Sequence, residues 1–154
     1  IKSAQVYYSL DGYIHVNIQQ REPVLRVLTG EGYYVDRDGR VMPLSSKFTS
    51  RVVVATGDIN KKFACEKLGP FAMKLKNEPF WDAYIEQLVV RSNEDVVMIP
   101  KVGDFRIVLG KVDDCDARLE KLILFLKDGI TKKGWNRYKE INLKFDNQVV
   151  CVRK

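Results

Sequence analysis

The sequence predicts an α+β fold, in which a small β unit precedes a larger unit of antiparallel strands packed by helices. Short β-prone segments separated by turn dipeptides occur in the first third of the chain and again beyond residue 86. Between them, and again before the last strands, apolar residues recur at helical spacing. Strands and helices that do not alternate regularly are typical of this class.

The chain begins with a predicted β-hairpin. Asp11-Gly12 is a favoured two-residue turn between residues 5–9 and 13–19. Apolar and polar residues alternate from 14 to 18, which predicts an antiparallel pair with one buried face.

A junction is predicted at Arg21-Glu22-Pro23, because proline interrupts the β pattern there. We therefore expect one unit over residues 1–23 and a second over residues 24–154.

The second unit opens with β segments. A second hairpin turn is predicted at Asp38-Gly39. Val52, Val53 and Val54 form a β-branched run that suits a strand covered on both faces. The predicted strands are residues 24–28, 33–36, 41–44 and 51–55.

Helices are predicted in the middle of the chain. Residues 60–68 form one candidate, broken by Gly69-Pro70, and residues 71–76 continue it. Pro79 suits the first turn of a further helix, in which Phe80, Trp81, Tyr84 and Ile85 fall at helical spacing.

The remaining chain predicts a three-stranded meander, a long helix and two closing strands. The meander covers residues 87–91, 96–99 and 105–109. The helix covers residues 114–128, with Asp113 or Asp114 as its cap and Gly129 at its end. Its apolar stripe consists of Leu119, Leu122, Ile123 and Leu126. The closing strands are residues 140–145 and 148–152.

Composition and charge leave several kinds of partner open. The 154 residues carry a formal net charge of +6, which suits nucleic acid, an anionic membrane surface or an acidic protein alike. The basic residues are dispersed, with only Lys61-Lys62 and Lys132-Lys133 as short pairs, so we interpret most of them as solvated surface. No apolar run approaches the ~18 residues of a membrane span.

The sequence contains no recognisable catalytic set. His15 is the only histidine and lies on the polar side of the first hairpin. The three cysteines, Cys65, Cys115 and Cys151, lack metal-site or redox spacing and are predicted to be core residues. Nucleotide-binding and nucleophile motifs are absent. We therefore predict a binding protein with no catalytic residues and no cofactor.

Two further groups have a structural interpretation. Asp113, Asp114 and Asp116 lie at a predicted helix start, and the remaining ligands of a calcium loop are missing, so we predict no metal. Trp81 and Trp135 are interpreted as core or helix-packing residues in preference to a stacking platform.

Five stretches along the chain resemble, in order, the pattern of one protein family. Residues 21–24 (REPV) are similar to its REPVA junction, and residues 34–41 (YVDRDGRV) to its YLVDEDGRVF hairpin. The first hairpin, residues 109–111 (LGK) before the long helix, and residues 141–146 (INLKFD) resemble its other segments, among them LGR and VDLRYD. The family is FtsQ/DivIB, of bacterial cell division.

The resemblance implies an organisation for the whole protein. Family members carry a short cytoplasmic tail, one transmembrane helix, a POTRA domain and a β domain outside the membrane. Residues 1–23 would be the last hairpin of the POTRA domain, and residues 24–154 the β domain. Because the sequence starts at Ile1 and not at methionine, we expect an upstream membrane anchor. The expected location is the inner membrane at the division septum, with this region extracytoplasmic.

The resemblance also implies partners and a site. In the family, the β domain recruits the coiled-coil proteins FtsB and FtsL through the edge of its last strands and links early and late division proteins. Here Phe145 would be an apolar anchor, Lys111 and Lys144 would pair with acidic groups, and residues 147–149 would present edge backbone. The expected partner-binding residues are Lys111, Lys144, Phe145, Asp146, Asn147, Gln148 and Val149.

Alternatives remain open at this stage. Phe145 would equally suit a core position, and the two lysines a solvated surface. Lys111 and Lys144-Phe145 stand where the family has arginine and Arg-Tyr, so a bidentate donor and a hydroxyl are lost. A basic nucleic-acid-binding module is the leading alternative function. A small hydrolase is disfavoured by the single histidine and the lack of a nucleophile motif.

Overall fold

The computed structural model describes residues 1–47, 49–130 and 137–154 and confirms the predicted α+β class. The strands are β1 (Ser3–Tyr8), β2 (Ile14–Gln19), β3 (Pro23–Val27), β4 (Tyr33–Asp36), β5 (Val41–Pro43), β6 (Val53–Gly57), β7 (Ile85–Arg91), β8 (Asp95–Pro100), β9 (Arg106–Gly110), β10 (Tyr138–Asn142) and β11 (Val150–Arg153). The α-helices are α1 (Lys61–Phe63), α2 (Gly69–Asn77), α3 (Pro79–Tyr84) and α4 (Asp116–Phe125).

Nine strands form one mixed sheet in the order β11-β10-β9-β8-β7-β6-β3-β4-β5. The predicted meander is present as β7, β8 and β9. The sheet is not wholly antiparallel, because β3 with β6, β6 with β7, and β9 with β10 pair in parallel. Local hydrophobic patterns do not indicate strand direction, so the sequence does not predict these parallel pairings.

The parallel pairs explain why the helices lie on one face of the sheet. The chain passes from β6 to β7 through α1, α2 and α3, and from β9 to β10 through α4. Both crossovers advance in the same direction across the sheet, towards β11. Since such connections are right-handed, both place their helices on the same side.

The core lies between this helical layer and the sheet. Alternate strand residues such as Leu25, Leu88 and Ile107 are fully buried together with Leu68 and Leu122 from the helical layer. The predicted stripe of the long helix is confirmed, since Leu119, Leu122 and Leu126 are all buried. Burying a side chain of this kind stabilises the fold by about 1.5–3 kcal/mol.

Other core expectations have mixed outcomes. Trp81 is buried, as expected for a core residue, and Trp135 lies outside the described residues. Val53 and Val54 are only half-buried, so the expectation of a strand covered on both faces was wrong. The second face of the sheet carries no helix among the described residues, and Val54 lies on it beside Gln87.

The N-terminal hairpin pairs as predicted, but its expected half-burial was wrong. The register places Val6 opposite Val16 and Tyr8 opposite Ile14. All residues of β1 and β2 are exposed, because the hairpin forms a two-stranded sheet of its own and does not join the larger one. The division of the chain at residues 23 and 24 stays a prediction.

Ion pairs connect the start of the chain to the sheet. Lys2 pairs with Asp38 at 3.0 Å, and Arg21 pairs with the buried Asp36 at 3.5 Å. Glu22 contacts both Arg37 and Lys76 at 3.2 Å. The hydrogen bond from Lys76 contributes most to holding the pKa of Glu22 below its usual range.

The turn between β4 and β5 gives a physical reason for the YVDRDGRV pattern. Asp36 Oδ1 accepts hydrogen bonds from the backbone amides of Asp38 at 2.9 Å and Arg40 at 2.8 Å. Gly39 occupies the left-handed region at φ +77°, which a side chain would strain. The acidic residue and the glycine are therefore required by the backbone of this turn.

The predicted helix break at Gly69-Pro70 was wrong. A π-helical segment, Ala64–Leu68, joins α1 to α2 without interruption. A π-helical turn is wider than an α-helical one. Here the amide of Gly69, the residue before Pro70, donates to the carbonyl of Ala64, five residues back. Gly69 also permits close packing, because a Cβ there would lie 3.0 Å from Cγ1 of Val35.

The start of the long helix also differs from expectation. The helix begins at Asp116 with Cys115 at its cap position, and no side chain caps it, so Asp113 and Asp114 do not have the predicted role. Asp113 instead pairs with Lys67 at 2.7 Å, and Asp116 pairs with Lys74. A π-helical segment, Leu126–Ile130, extends α4. Among the described helices, none has the length and apolar character needed to cross a membrane.

Gly57 tests the close pairing of β6 with β7. We expect Gly57→Ala to cost at least about 3 kcal/mol of unfolding free energy, because a Cβ at φ +106° would overlap the carbonyl oxygen of Val90. The measurement is denaturant-induced unfolding. Gly30→Ala is the control: it shares a positive φ of +61° but meets no atom within 4 Å, and should cost about 1 kcal/mol. Equal losses in both variants would contradict this account.

Candidate partner-binding edge

The nine-stranded sheet ends at β5 on one side and at β11 on the other, and the two edges differ. The Asp36 amide donates to the Arg40 carbonyl, so the backbone of Arg40 faces β4. Because backbone groups alternate in direction along a strand, those of Val41 and Pro43 face outward from β5. Arg21 Nη1 donates to the Val41 carbonyl at 3.4 Å, and proline has no amide to offer. The β5 edge is therefore short and blocked against another strand.

The β11 strand contains no proline. The Lys154 amide donates to the Arg137 carbonyl at 3.1 Å, so the backbone groups of Lys154 point towards β10. By alternation along the strand, the backbone groups of Val152 and Val150 also point towards β10. The bond from the Leu143 amide to the Val108 carbonyl, on the β9 side of β10, agrees with this register. The backbone of Arg153 therefore points away from the sheet, where no described strand pairs with it.

Apolar side chains accompany the open edge. Val150 and Val152 are 37% and 38% exposed and lie on the face that carries no described helix, opposite Asn142 and Glu140 of β10. Phe145, in the preceding turn, is 47% exposed. The interpretation of Phe145 as a core residue is thereby excluded, and its ring is accessible to a partner.

Two of the predicted site residues are brought together above the start of β8. Lys144 Nζ lies 3.5 Å from Asp95 Oδ1, and Lys111 Nζ donates to the carbonyl of Asn93 in the adjacent turn. A Cβ on Gly110 would lie 3.1 Å from Lys144 Cγ, which shows how closely the ends of β9 and β10 approach. Both lysines are exposed and already occupied by local acceptors.

The other predicted residues occupy a turn. β10 ends at Asn142 and β11 begins at Val150, so residues 147–149 precede the edge strand and do not form it. Asp146, Asn147 and Gln148 are exposed, and Asn147 adopts a left-handed φ of +56°. Val149 packs against the core. The closing strands are shorter than predicted, because the turn between them includes the predicted end of the first strand and the predicted start of the second.

Two basic residues of α4, which the sequence did not single out, hold the strand ends in place. Arg118 Nη1 donates to the Leu109 carbonyl at 2.5 Å and Nη2 donates to the Asp113 carbonyl at 2.7 Å. Lys121 Nζ donates to the carbonyls of Leu143 at 2.9 Å and Phe145 at 2.5 Å. Burial lowers the pKa of the Lys121 ammonium, and nearby Asp146 opposes this shift. Helical spacing alone does not show which backbone groups a long side chain reaches.

The groups considered for chemistry lie apart. His15 stacks on Tyr7 with ring centroids 4.8 Å apart in the exposed hairpin. Burial raises the pKa of the Cys65 thiol, which disfavours a reactive thiolate. Within the described ranges, no three histidine, cysteine or acidic side chains converge to hold a metal.

Comparison with known proteins identifies a family. The family model described as FtsQ/DivIB, C-terminal related, matches residues 22–152. The match extends from β3 into β11 and so includes both edges of the large sheet. No curated protein shows a significant match.

Lys121 offers a test of how the turn before β11 is held. We expect Lys121→Met to lower the unfolding free energy by about 1–2 kcal/mol, because two carbonyls lose a charged donor. Amide hydrogen exchange within residues 143–149 should accelerate. Lys62→Met, at an exposed lysine of α1, is the control and should change stability by less than about 0.5 kcal/mol. Unchanged exchange in this turn would show that Lys121 does not hold it.

Proposed function

This chain belongs to the FtsQ/DivIB C-terminal related family of cell-division proteins, and we propose that it is a non-enzymatic scaffold that binds FtsB/FtsL-like partners at the β11 edge. Through these partners it would link early and late division proteins at the septum. The observation that carries the proposal is the difference between the two edges of the sheet. β5 is blocked by Pro43 and Arg21, whereas β11 offers the outward backbone of Arg153 near the exposed Val150 and Val152.

The mechanism is strand addition. An extended partner segment would pair with the outer groups of β11 and become a tenth strand of the sheet. Backbone pairing supplies affinity with little dependence on sequence, and neighbouring side chains select the partner. Val150 and Val152 supply apolar contact at one face of the edge, and Phe145 supplies it from the turn before β11.

The charged residues near the turn would refine this selection. Lys111 and Lys144 lie beside Asn93 and Asp95, and an acidic partner group would have to compete with these acceptors. Asp146 to Gln148 present exposed polar groups next to the apolar cluster. Rim charges of this kind influence association rate and specificity more than affinity.

We also propose the location expected for the family. The full-length protein would be a single-pass protein of the inner membrane, with this region extracytoplasmic and residues 1–23 forming the end of a POTRA domain. Support comes from the family match over residues 22–152. Fusion of a reporter that is fluorescent only outside the cytoplasm would test the location, and septal fluorescence is the expected result.

Arg153 tests strand addition directly. We expect Arg153→Pro to reduce binding of the partner's extracytoplasmic segment at least tenfold (about 1.4 kcal/mol), because it removes an outward amide that β10 does not use. Titration by calorimetry measures the effect. Arg153→Ala retains the amide and serves as the matched control for the lost side chain. Melting curves check folding, since an edge strand tolerates proline. Equal binding by both variants would exclude pairing at this edge.

Phe145 tests the apolar anchor. We expect Phe145→Ala to weaken the same binding by about 2 kcal/mol, since an exposed ring that becomes desolvated at an interface centre is a typical hot spot. Phe80→Ala is the control, because Phe80 is a phenylalanine of similar exposure (46%) in α3, within the crossover from β6 to β7. If both variants bind like the parent while remaining folded, the partner does not contact the turn.

A further inference from the structure

A basic groove lies at the far end of β10 and β11, opposite the turn that contains Phe145. It has a volume of about 500 Å³ and is bounded by Arg106, Lys139 and Lys154, with Asp104 as its only acidic lining residue among those described. Ile99 and the buried Phe105 form an apolar part of its wall. None of these residues belongs to the predicted partner site.

One further cation extends the groove. The Lys154 amide donates to the Arg137 carbonyl at 3.1 Å, so Arg137 lies opposite Lys154, on the face that also carries Val150 and Val152. Together with Arg106 and Lys139, these residues place four exposed basic groups at one corner of the sheet. Arg153, opposite the buried Tyr138, projects its side chain from the other face.

Acidic neighbours neutralise only part of this charge. Lys154 pairs with Asp104 at 3.2 Å, and Arg106 pairs with Glu140 at 3.3 Å. Arg137 and Lys139 have no acidic partner among the described residues. An excess of two positive charges therefore remains beside the groove. Such a cluster repels itself and favours an anionic ligand.

The groove is continuous with the open edge. Arg153 contributes the outward backbone of β11, and Lys154, the next residue, lines the groove on the same face as Val150 and Val152. A strand that pairs along β11 from Val150 would reach the groove as it passes Arg153. The side chains of that strand would then meet apolar surface at one end and unpaired cations at the other.

We propose that the segment added to β11 carries a run of acidic residues at the end that reaches this groove, and that the run sets its direction and register along the edge. The proposal rests on the proposed function and specifies the chemistry of the partner. A single-stranded nucleic acid fits less well, because stacking needs exposed aromatic rings and Phe105, the aromatic residue among the described lining residues, is only 6% exposed. The small volume suits a few carboxylates better than an extended array of phosphates.

Synthetic peptides test the proposal. One contains a short alternating threonine-valine segment followed by a run of glutamates, and a second carries the glutamates at its other end. A third replaces the glutamates with glutamines, and a fourth contains glutamates alone. Fluorescence anisotropy against the intact chain measures affinity at low and high salt. A single-stranded oligonucleotide and anionic lipid vesicles are titrated in parallel.

Charge-reversal variants locate the binding. Lys139→Glu with Lys154→Glu reverses two groove cations. Lys47→Glu with Lys62→Glu makes the same change in net charge at exposed positions outside the groove and is the matched control. Melting curves of both double variants establish that each remains folded.

The expected result is that one of the two glutamate orders binds roughly tenfold tighter than the glutamine peptide. This advantage should disappear in the Lys139→Glu/Lys154→Glu variant and at high salt, and persist in the control. Equal affinity for the glutamate and glutamine peptides would overturn the acidic run while leaving strand addition intact.

Other outcomes separate this proposal from the proposed function. If the peptide of glutamates alone is the only peptide whose affinity differs between the two double variants, the groove binds carboxylates but strand pairing at β11 is overturned. If the oligonucleotide or the vesicles bind more tightly than every peptide, and lose binding in the groove variant alone, a polyanion replaces the acidic protein segment as the ligand.

Discussion

Every sheet that does not close has two edges, and the backbone groups along them need partners, water or steric protection. Here the two edges meet this requirement differently. Pro43 and Arg21 occupy the outer side of β5, whereas the backbone of Arg153 in β11 points outward with no described strand beside it. This difference is the basis for proposing strand addition at the C-terminal edge, with the surroundings of β11 selecting the partner.

The helix α4 connects the core to that edge. Leu119 and Leu122 anchor one side of the helix, and Arg118 and Lys121 reach from it to the carbonyls that end β9 and β10. The burial that stabilises the crossover therefore also fixes the turn before β11. Because Lys121 donates to the carbonyl of Phe145 itself, the candidate anchor is held by a helix whose position the core determines. A preordered anchor loses less conformational entropy on binding.

Local patterns predicted most elements correctly, and the errors share a cause. The Asp38-Gly39 turn, the meander and the stripe of the long helix depend on neighbours in sequence, and all three are present. Gly69-Pro70 predicts a break because proline disfavours helix, but a π turn and close packing on Val35 accommodate it. Burial of the first hairpin could not be judged from alternation alone, since alternation shows which side chains share a face but not whether anything covers that face.

The sequence by itself determined the class of the fold, the order of strands and helices, the lack of a recognisable catalytic motif and the family, because each depends on local spacing or on ordered motifs. Only the tertiary structure decided which strands pair in parallel, that β5 is blocked, and that Arg106, Lys139 and Lys154 line one groove. Those features join residues separated by 20 to 48 positions, as from Arg21 to Val41 or from Arg106 to Lys154. Contacts across such distances are set by how the crossovers pack on the sheet, which no local pattern encodes.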